Sequence, residues 1–337
     1  MTNLFSPIQL KGVDIPNRIM LSPMCQYQVK NNDGMPNDWH YIHLTSRAIG
    51  GVGLICLEMT NIEARGRITE NCLGLWEESQ LESYKKIIDA CKSYGSKVAV
   101  QIAHAGRKSK IASGDVVAPS EMPFSDDSPS PRSLETQEIK DIVRQFGKST
   151  ELAVKAGFDM IELHGAHGYL LHQFISPSCN KREDEYSEYD RFPLEVIKEV
   201  RNNMPDDMPL ILRISAIEYG DGAYDFHHIK QMIPAFIEAG VDAFDVSTGG
   251  NSPQRPPEIF AGFQVKYAEA IKQEFDIPVI SVGSLEDAEV AQQVIEQEQA
   301  DMVAIGRGLL RYPYWPKEAA EKLGLTFNLP GVYDIGY

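Results

Sequence analysis

Short apolar runs rich in β-branched residues recur along the chain, separated by longer charged stretches with helical periodicity. Eight such runs stand out: 18–24 (RIMLSPM), 52–59 (VGLICLEM), 97–104 (KVAVQIAH), 159–164 (DMIELH), 209–215 (PLILRIS), 243–248 (AFDVST), 278–283 (PVISVG) and 301–306 (DMVAIG). The intervening segments QLESYKKIIDACKSYG, ETQEIKDIVRQFGKSTELAVKAG, FPLEVIKEVRNNM, HHIKQMIPAFIEAG, FQVKYAEAIKQEF and LEDAEVAQQVIEQ read as helices. Several end in a glycine suited to a left-handed cap. Eight βα units predict a closed (β/α)8 TIM barrel rather than an open doubly wound sheet, which uses fewer strands and carries an early glycine-rich dinucleotide turn that is missing here. Two segments break the spacing, 105–134 and 247–264, both rich in proline and serine and both following a predicted strand. In a barrel they fall on the carboxyl-terminal rim, as lids or as plain surface excursions.

A length of 337 residues suits one barrel domain over 1–337, and 43% hydrophobic residues supply a substantial core. The formal net charge of −16 argues against a nucleic-acid or anionic-membrane partner, which needs clustered cations. Five cysteines, none arranged as CxxC, give neither a disulfide framework nor a zinc ribbon, and point to a reducing cytoplasm. The amino-terminal stretch MTNLFSPIQLKGVDIPNRIM lacks a secretory apolar core, and no apolar stretch approaches the roughly 20 residues that span a bilayer.

Because barrel enzymes take their catalytic groups from the carboxyl ends of strands, those eight positions matter most. The first strand ends in Ser22, Pro23, Met24 and Cys25, with Tyr27 beyond; the third carries Gln101 and ends in HAGRK. The fourth delivers His164, His167 and Tyr169, with small residues between the histidines that let a ligand approach the backbone. The fifth carries Arg213. The last two end in VGS and GRG, bringing Gly283, Ser284, Gly306 and Arg307, a glycine-rich pair that can expose backbone N–H groups to a phosphate. Donors dominate this set, and acidic metal ligands are scarce, so a phosphorylated ligand is expected.

Taken together, NRIMLSPMCQY, QIAHAGRK, ELHGAHGYLLHQFISPSCNKREDEY, LRIS and AIGRGLLRYP resemble the old yellow enzyme family, specifically its subclass with a cysteine on strand one, nearly end to end and in the family's order. The resemblance implies a TIM barrel with an N-terminal hairpin and long βα loops, holding FMN at its mouth. Ser22, Pro23, Met24, Cys25, Met59, Gln101, Arg213, Gly283, Ser284, Gly306 and Arg307 would then take the flavin-contacting positions. A glutamine amide suits the alternating N–H and C=O edge of the isoalloxazine, and an arginine near N1 and the C2 carbonyl favours reduction. Cys25 would tune the flavin, or merely fill space as a packed thiol.

By the same resemblance, the chain is an NAD(P)H-dependent ene-reductase that takes hydride from NADPH or NADH onto flavin N5 in a ping-pong cycle. It then passes hydride to electrophilic alkenes activated by a carbonyl or nitro group. His164 and His167 would bind the substrate oxygen as an oxyanion hole, Tyr169 would protonate the α-carbon and Tyr27 would border the substrate. Arg107, Lys108 and Lys110 are candidates for the nicotinamide's phosphates, or simply solvated charges. A homo-oligomer, dimer or tetramer, is expected.

Two places depart from the family. After NKREDEY the chain runs SEYDRFPLEV, several residues short, and Ile335 stands where the subclass commonly supplies an arginine to the neighbouring subunit, so a shared active site is not expected. Two other classes compete. A metal-dependent barrel hydrolase or lyase would use the histidine pair, though no third ligand is evident. A flavin-binding redox sensor would bind FMN without turnover.

Overall fold

A computed structural model describes residues 2–111 and 114–336, except for the side chains at 334 and 335; the Ile335 side chain therefore lies outside the described residues. In chain order the strands are β1 (Ile8–Leu10), β2 (Val13–Ile15), β3 (Ile19–Leu21), β4 (Leu54–Asn61), β5 (Lys97–Ala103), β6 (Val117–Ala118), β7 (Arg132–Ser133), β8 (Met160–Gly165), β9 (Leu210–Ser215), β10 (Ala243–Ser247), β11 (Val279–Val282) and β12 (Met302–Ile305). The helices are α1 (Asp38–Ile49), α2 (Leu81–Ser93), α3 (Thr136–Ala156), α4 (Leu170–Ile175), α5 (Arg191–Asn202), α6 (Phe226–Lys230), α7 (Ile233–Glu238), α8 (Val265–Phe275), α9 (Ala288–Glu296), α10 (Arg307–Arg311) and α11 (Trp315–Lys322).

Strands β3, β4, β5, β8, β9, β10, β11 and β12 pair in parallel, in that order, and β12 returns to β3, closing a barrel. The eight apolar runs are these eight strands. They read as predominantly apolar segments, without the polar alternation of a half-exposed strand, because both faces are covered: all of β4, for example, is buried.

Alternation along each strand splits the core in two. Outward side chains such as Ile55, Leu57, Val98, Val100, Ile161 and Leu163 join the helices in one large cluster. Inward ones, among them Met20, Leu54, Ala99, Met160, Ile211, Ala243, Ile280 and Met302, form a separate apolar plug inside the barrel. The β1–β2 hairpin closes the amino-terminal end, with Leu10 and Ile15 joining that plug. Gly12 at its tip donates to the Asp207 carbonyl at 3.1 Å, where a Cβ would sit 2.6 Å from that oxygen.

Most predicted helices appear with small shifts. The longest, α3, starts at a reciprocal Glu135–Glu138 capping box and ends at Gly157, whose φ of 92° is the left-handed cap expected of glycine. HHIKQMIPAFIEAG is not one helix but two, α6 and α7. Pro234 lacks an N–H and crowds the carbonyl four residues back, so the helix breaks before it. Helix α1, which the apolar pattern does not signal, is capped by Asn37; its outer face carries Trp39 (51% exposed) and Ile42 (67%), which blur its polar side. The short connection after Tyr186 folds as a 3-10 turn, Glu185–Ser187, leading almost directly into α5, and the Tyr186 hydroxyl donates to Glu195 at 2.9 Å. Among the described residues no helix is long and apolar enough to cross a membrane.

Candidate active site

At the carboxyl end of the barrel a cavity of about 330 Å³ opens, bordered by the ends of β3, β8, β9, β11 and β12. Of the residues singled out above, Ser22, Pro23, Met24, His164, His167, Tyr169, Arg213, Gly283, Ser284, Gly306 and Arg307 line it. Phe263, Gln264 and Glu286 line it too and were not anticipated. Phe263 and Gln264 close the second long loop; Gln264 is fixed by accepting from Thr248 (2.6 Å) and donating to the Val282 carbonyl (2.9 Å).

Strand β8 runs into a tight turn that shapes one wall. His167 has φ of 56° and Gly168 of 73°; at Gly168 a Cβ would lie 2.5 Å from the Gly250 carbonyl oxygen, so only glycine fits. A left-handed histidine costs about 1–3 kcal/mol and persists only where its surroundings hold it. Three contacts do so here: the His167 N–H donates to Ser215 Oγ (3.1 Å), its carbonyl accepts from Lys108 Nζ (2.9 Å), and the Gly168 N–H donates to His172 Nδ1 (2.8 Å). His172 is itself bracketed by Tyr224 (2.8 Å) and Glu218 (3.0 Å), which gives a structural role to a histidine the sequence left unplaced.

The two wall histidines meet nearly edge to face, their ring centres 5.1 Å apart, and the Tyr169 ring lies 4.7 Å from His164. Burial, then neighbouring charges, drives both imidazoles well below their usual pKa, so both are neutral and each carries one N–H. His164 Nδ1 accepts from the Ala166 N–H (3.3 Å), which leaves the proton on Nε2. His167 differs: its Nε2 lies 2.7 Å from Ser247 Oγ, which donates onward to Gln264. The pair is therefore not two equivalent donors. Burial likewise lifts the Tyr169 hydroxyl well above its usual value and keeps it protonated.

Tyr169 also borders a second cavity of about 210 Å³, shared with Tyr27, Ile68, Lys108, Lys110 and Phe124. The three cations after β5 separate here. Arg107 lines this cavity too, but it is buried and ties the rim together, donating to the Asn251 backbone (2.5 Å) and side-chain (3.1 Å) oxygens across the second loop. Lys108 lies over the Phe124 and Tyr169 rings at 4.5 and 5.0 Å, and burial lowers its pKa to about 8. Lys110 is exposed.

Cys25 and Met59 do not border the larger cavity but pack together with Ile68, Cys72 and Tyr169. Burial, followed by the Glu58 charge, raises the Cys25 thiol well above its usual value, the reverse of what a nucleophilic cysteine needs. Gln101 lies deeper, its Nε2 donating to Glu162 at 2.7 Å.

The comparisons with known proteins agree with this geometry. The NADH:flavin oxidoreductase / NADH oxidase family matches residues 3–326. The chain belongs to that family. It is 42% identical to an NADPH dehydrogenase of Listeria innocua over 99% of this chain and 98% of the relative, and 41% identical to an NADPH dehydrogenase of Geobacillus thermodenitrificans over 100% and 99%. Among solved structures, morphinone reductase in complex with tetrahydroNAD superposes with a TM-score of 0.82 at 28% identity, over 98% of this chain and 93% of that one. The protein is thus an old yellow enzyme, an FMN-dependent NAD(P)H oxidoreductase.

The cavity fits that cofactor. Its volume lies within the range of about 300–1,000 Å³ typical of cofactor sites. At Gly306, where β12 ends, a Cβ would point to within 3.2 Å of Met24 Sδ, and Gly283 sits at φ of 126°, a conformation that favours glycine, so both strand ends present little side chain to a ligand. Arg307 stands exposed at the mouth, and the buried Arg213 Nε has no aligned hydrogen-bond partner among the described residues.

Proposed function

We propose that this old yellow enzyme is an ene-reductase that reduces the C=C bond of small α,β-unsaturated carbonyl or nitro compounds. The observation that carries the reading is the neutral donor wall: His164 with its proton on Nε2 and Tyr169 held protonated, side by side above the strand ends. Bound FMN supplies the hydride relay, oxidising NAD(P)H and then reducing the substrate's β-carbon in a ping-pong cycle. Arg213 and Gln101 would hold the flavin ring, Ser22, Pro23, Met24, Cys25 and Met59 its edge, and Gly283, Ser284, Gly306 and Arg307 its phosphate.

His164 Nε2–H donates to the substrate oxygen, where negative charge develops, and a fixed neutral donor stabilises that charge without first being desolvated. His167 supports the same oxygen once Ser247 releases its Nε2, so the second bond forms only with ligand present. Tyr169 delivers the proton to the α-carbon from a hydroxyl that stays protonated across the working range. Cys25 acts as a neutral thiol beside the flavin and not as a nucleophile, and Tyr27 borders the substrate in the second cavity. The enzyme works in the cytoplasm as a homo-oligomer, for which the exposed Trp39 and Ile42 of α1 offer an apolar face.

The test is optical. Purified protein is yellow, bleaches anaerobically with NADPH, and recovers its colour when 2-cyclohexenone or N-ethylmaleimide is added. Bleaching without recovery across a panel of enones and nitroalkenes refutes the ene-reductase reading and leaves a sensor. A colourless protein that does not take up FMN refutes the cofactor site.

A further inference from the structure

Directly beneath the cavity, the inward positions two residues on from the apolar plug turn polar: Ala99 gives way to Gln101, Met160 to Glu162, Ile211 to Arg213 and Ala243 to Asp245. All four are buried. This layer holds two carboxylates and one guanidinium, set on the apolar plug. Arg213 Nε lies 3.1 Å from Asp245 Oδ2, but neither atom is aligned for a hydrogen bond. Among the described residues Glu162 Oε2 and both Asp245 carboxylate oxygens have no hydrogen-bond partner at all. Glu162 Oε1 accepts from Gln101 Nε2 at 2.7 Å.

One guanidinium balances one carboxylate, and a second bare charge in this layer would be unpaired, a state proteins avoid by taking up a proton. We propose that Glu162 and Asp245 share a single proton and that Glu162, by being ionised or neutral, fixes which end of the Gln101 amide faces bound FMN. Glu162 is thereby a positioning residue for the cofactor, and the inference rests on reading the cavity as the FMN site.

The link is the amide's two-sidedness. An ionised Glu162 only accepts, so it takes the Gln101 NH2, as observed, and leaves Oε1 for the flavin edge. A neutral Glu162 can donate to Oε1 instead, which turns the NH2 upward. Burial, and then Asp245, push the Glu162 carboxyl up to about 8, against the pull of Arg213 and Gln101; burial raises Asp245 as well. Cys56 of β4 also faces the pair, and burial and the same carboxylates hold its thiol protonated; His164, two residues beyond Glu162 and opposite Arg213, is held neutral by its own burial. The exchange therefore falls within an accessible pH range.

The experiment measures FMN affinity of the apoprotein by fluorescence quenching from pH 6 to 10, for the natural protein, Glu162→Gln and Asp245→Asn. Titrations of FMN itself are common to all three and cancel in the ratios. The natural protein is expected to change affinity by about fivefold around pH 8, the worth of one exchanged hydrogen bond. Its bound-flavin absorption should shift with the same midpoint. Glu162→Gln should be flat. Asp245→Asn, which removes the competing carboxylate, should move the midpoint to lower pH. A break that survives unchanged in Glu162→Gln, an Asp245→Asn midpoint that does not move, or a natural protein with no break each overturns the proposal while leaving FMN binding intact. Failure of the natural protein to bind FMN overturns the cofactor reading instead. Should Glu162→Gln not fold, the Asp245→Asn midpoint decides alone.

Discussion

Replacing Lys108 by methionine keeps an unbranched apolar stem but removes the ammonium that fastens the left-handed His167. The ammonium spans two carbonyls, His167 at 2.9 Å and Gly250 at 3.1 Å, so it joins the β8 turn to the second rim loop. Hydrogen bonds from a charged donor contribute about 1.5–3 kcal/mol each, but this one is partly exposed and leaves carbonyls that water can reach. About 2 kcal/mol of lost stability at pH 7 is the expected cost. The pH dependence is more diagnostic. Burial, then Arg107 and Lys110, lower this lysine from 10.5 to about 8. A group with a depressed folded pKa contributes stability that is present above the unfolded value and lost as pH falls through the folded one.

A shift from 10.5 to about 8 corresponds to about 3 kcal/mol, discounted to about 2 for partial exposure. The neutral amine still has two N–H groups for the same two carbonyls, so deprotonation relieves the burial cost without breaking the clamp. Urea unfolding of the natural protein and Lys108→Met should therefore show a gap of about 2 kcal/mol at pH 7 that widens to about 4 by pH 10. A gap that stays constant with pH refutes the burial of its charge, and no gap at pH 7 refutes the clamp.

The remaining predictions concern the wall and the thiol. Removing the His164 donor by His164→Ala should weaken phenol binding and slow the oxidative half-reaction by about 10²–10³ while FMN stays bound; stopped-flow rates equal to the natural protein's would remove His164 from its role. Because both imidazoles are held neutral, that half-reaction should show no inflection near pH 6.5, and imidazole nitrogen shifts should stay flat over the same range. A histidine titrating there would contradict the burial argument. Cys25, with its raised pKa, should resist iodoacetamide at pH 8, as mass spectrometry of the labelled peptide would reveal; rapid labelling would mean a thiolate and a different chemistry.

The eight strands were legible because a strand covered on both faces is mostly apolar, and each run maps onto one barrel strand. The cavity-lining residues were legible where they sit at strand ends, as Ser22, His164 and Gly306 do. What escaped was long-range. Nothing local marks Ser247 as the partner of His167, eighty residues earlier, nor Arg107 as a strut to Asn251, because a charge near a loop reads as solvated until the loop folds back over it. Helix α1 escaped because Trp39 and Ile42 interrupt its polar face. Glu162 and Asp245 left a signal that went unused: an acid in the middle of an apolar run is costly to bury and needs a reason.

Arg107 joins the two long rim segments through Asn251, which also donates to Glu218, so the residues after β5 and those after β10 lock into one piece. Neither can be exchanged alone. A chimera that transplants one segment from a relative to change substrate scope would strand a buried guanidinium or a buried asparagine, whereas transplanting both keeps the lock. Diversification of this rim is therefore expected to proceed by paired replacement.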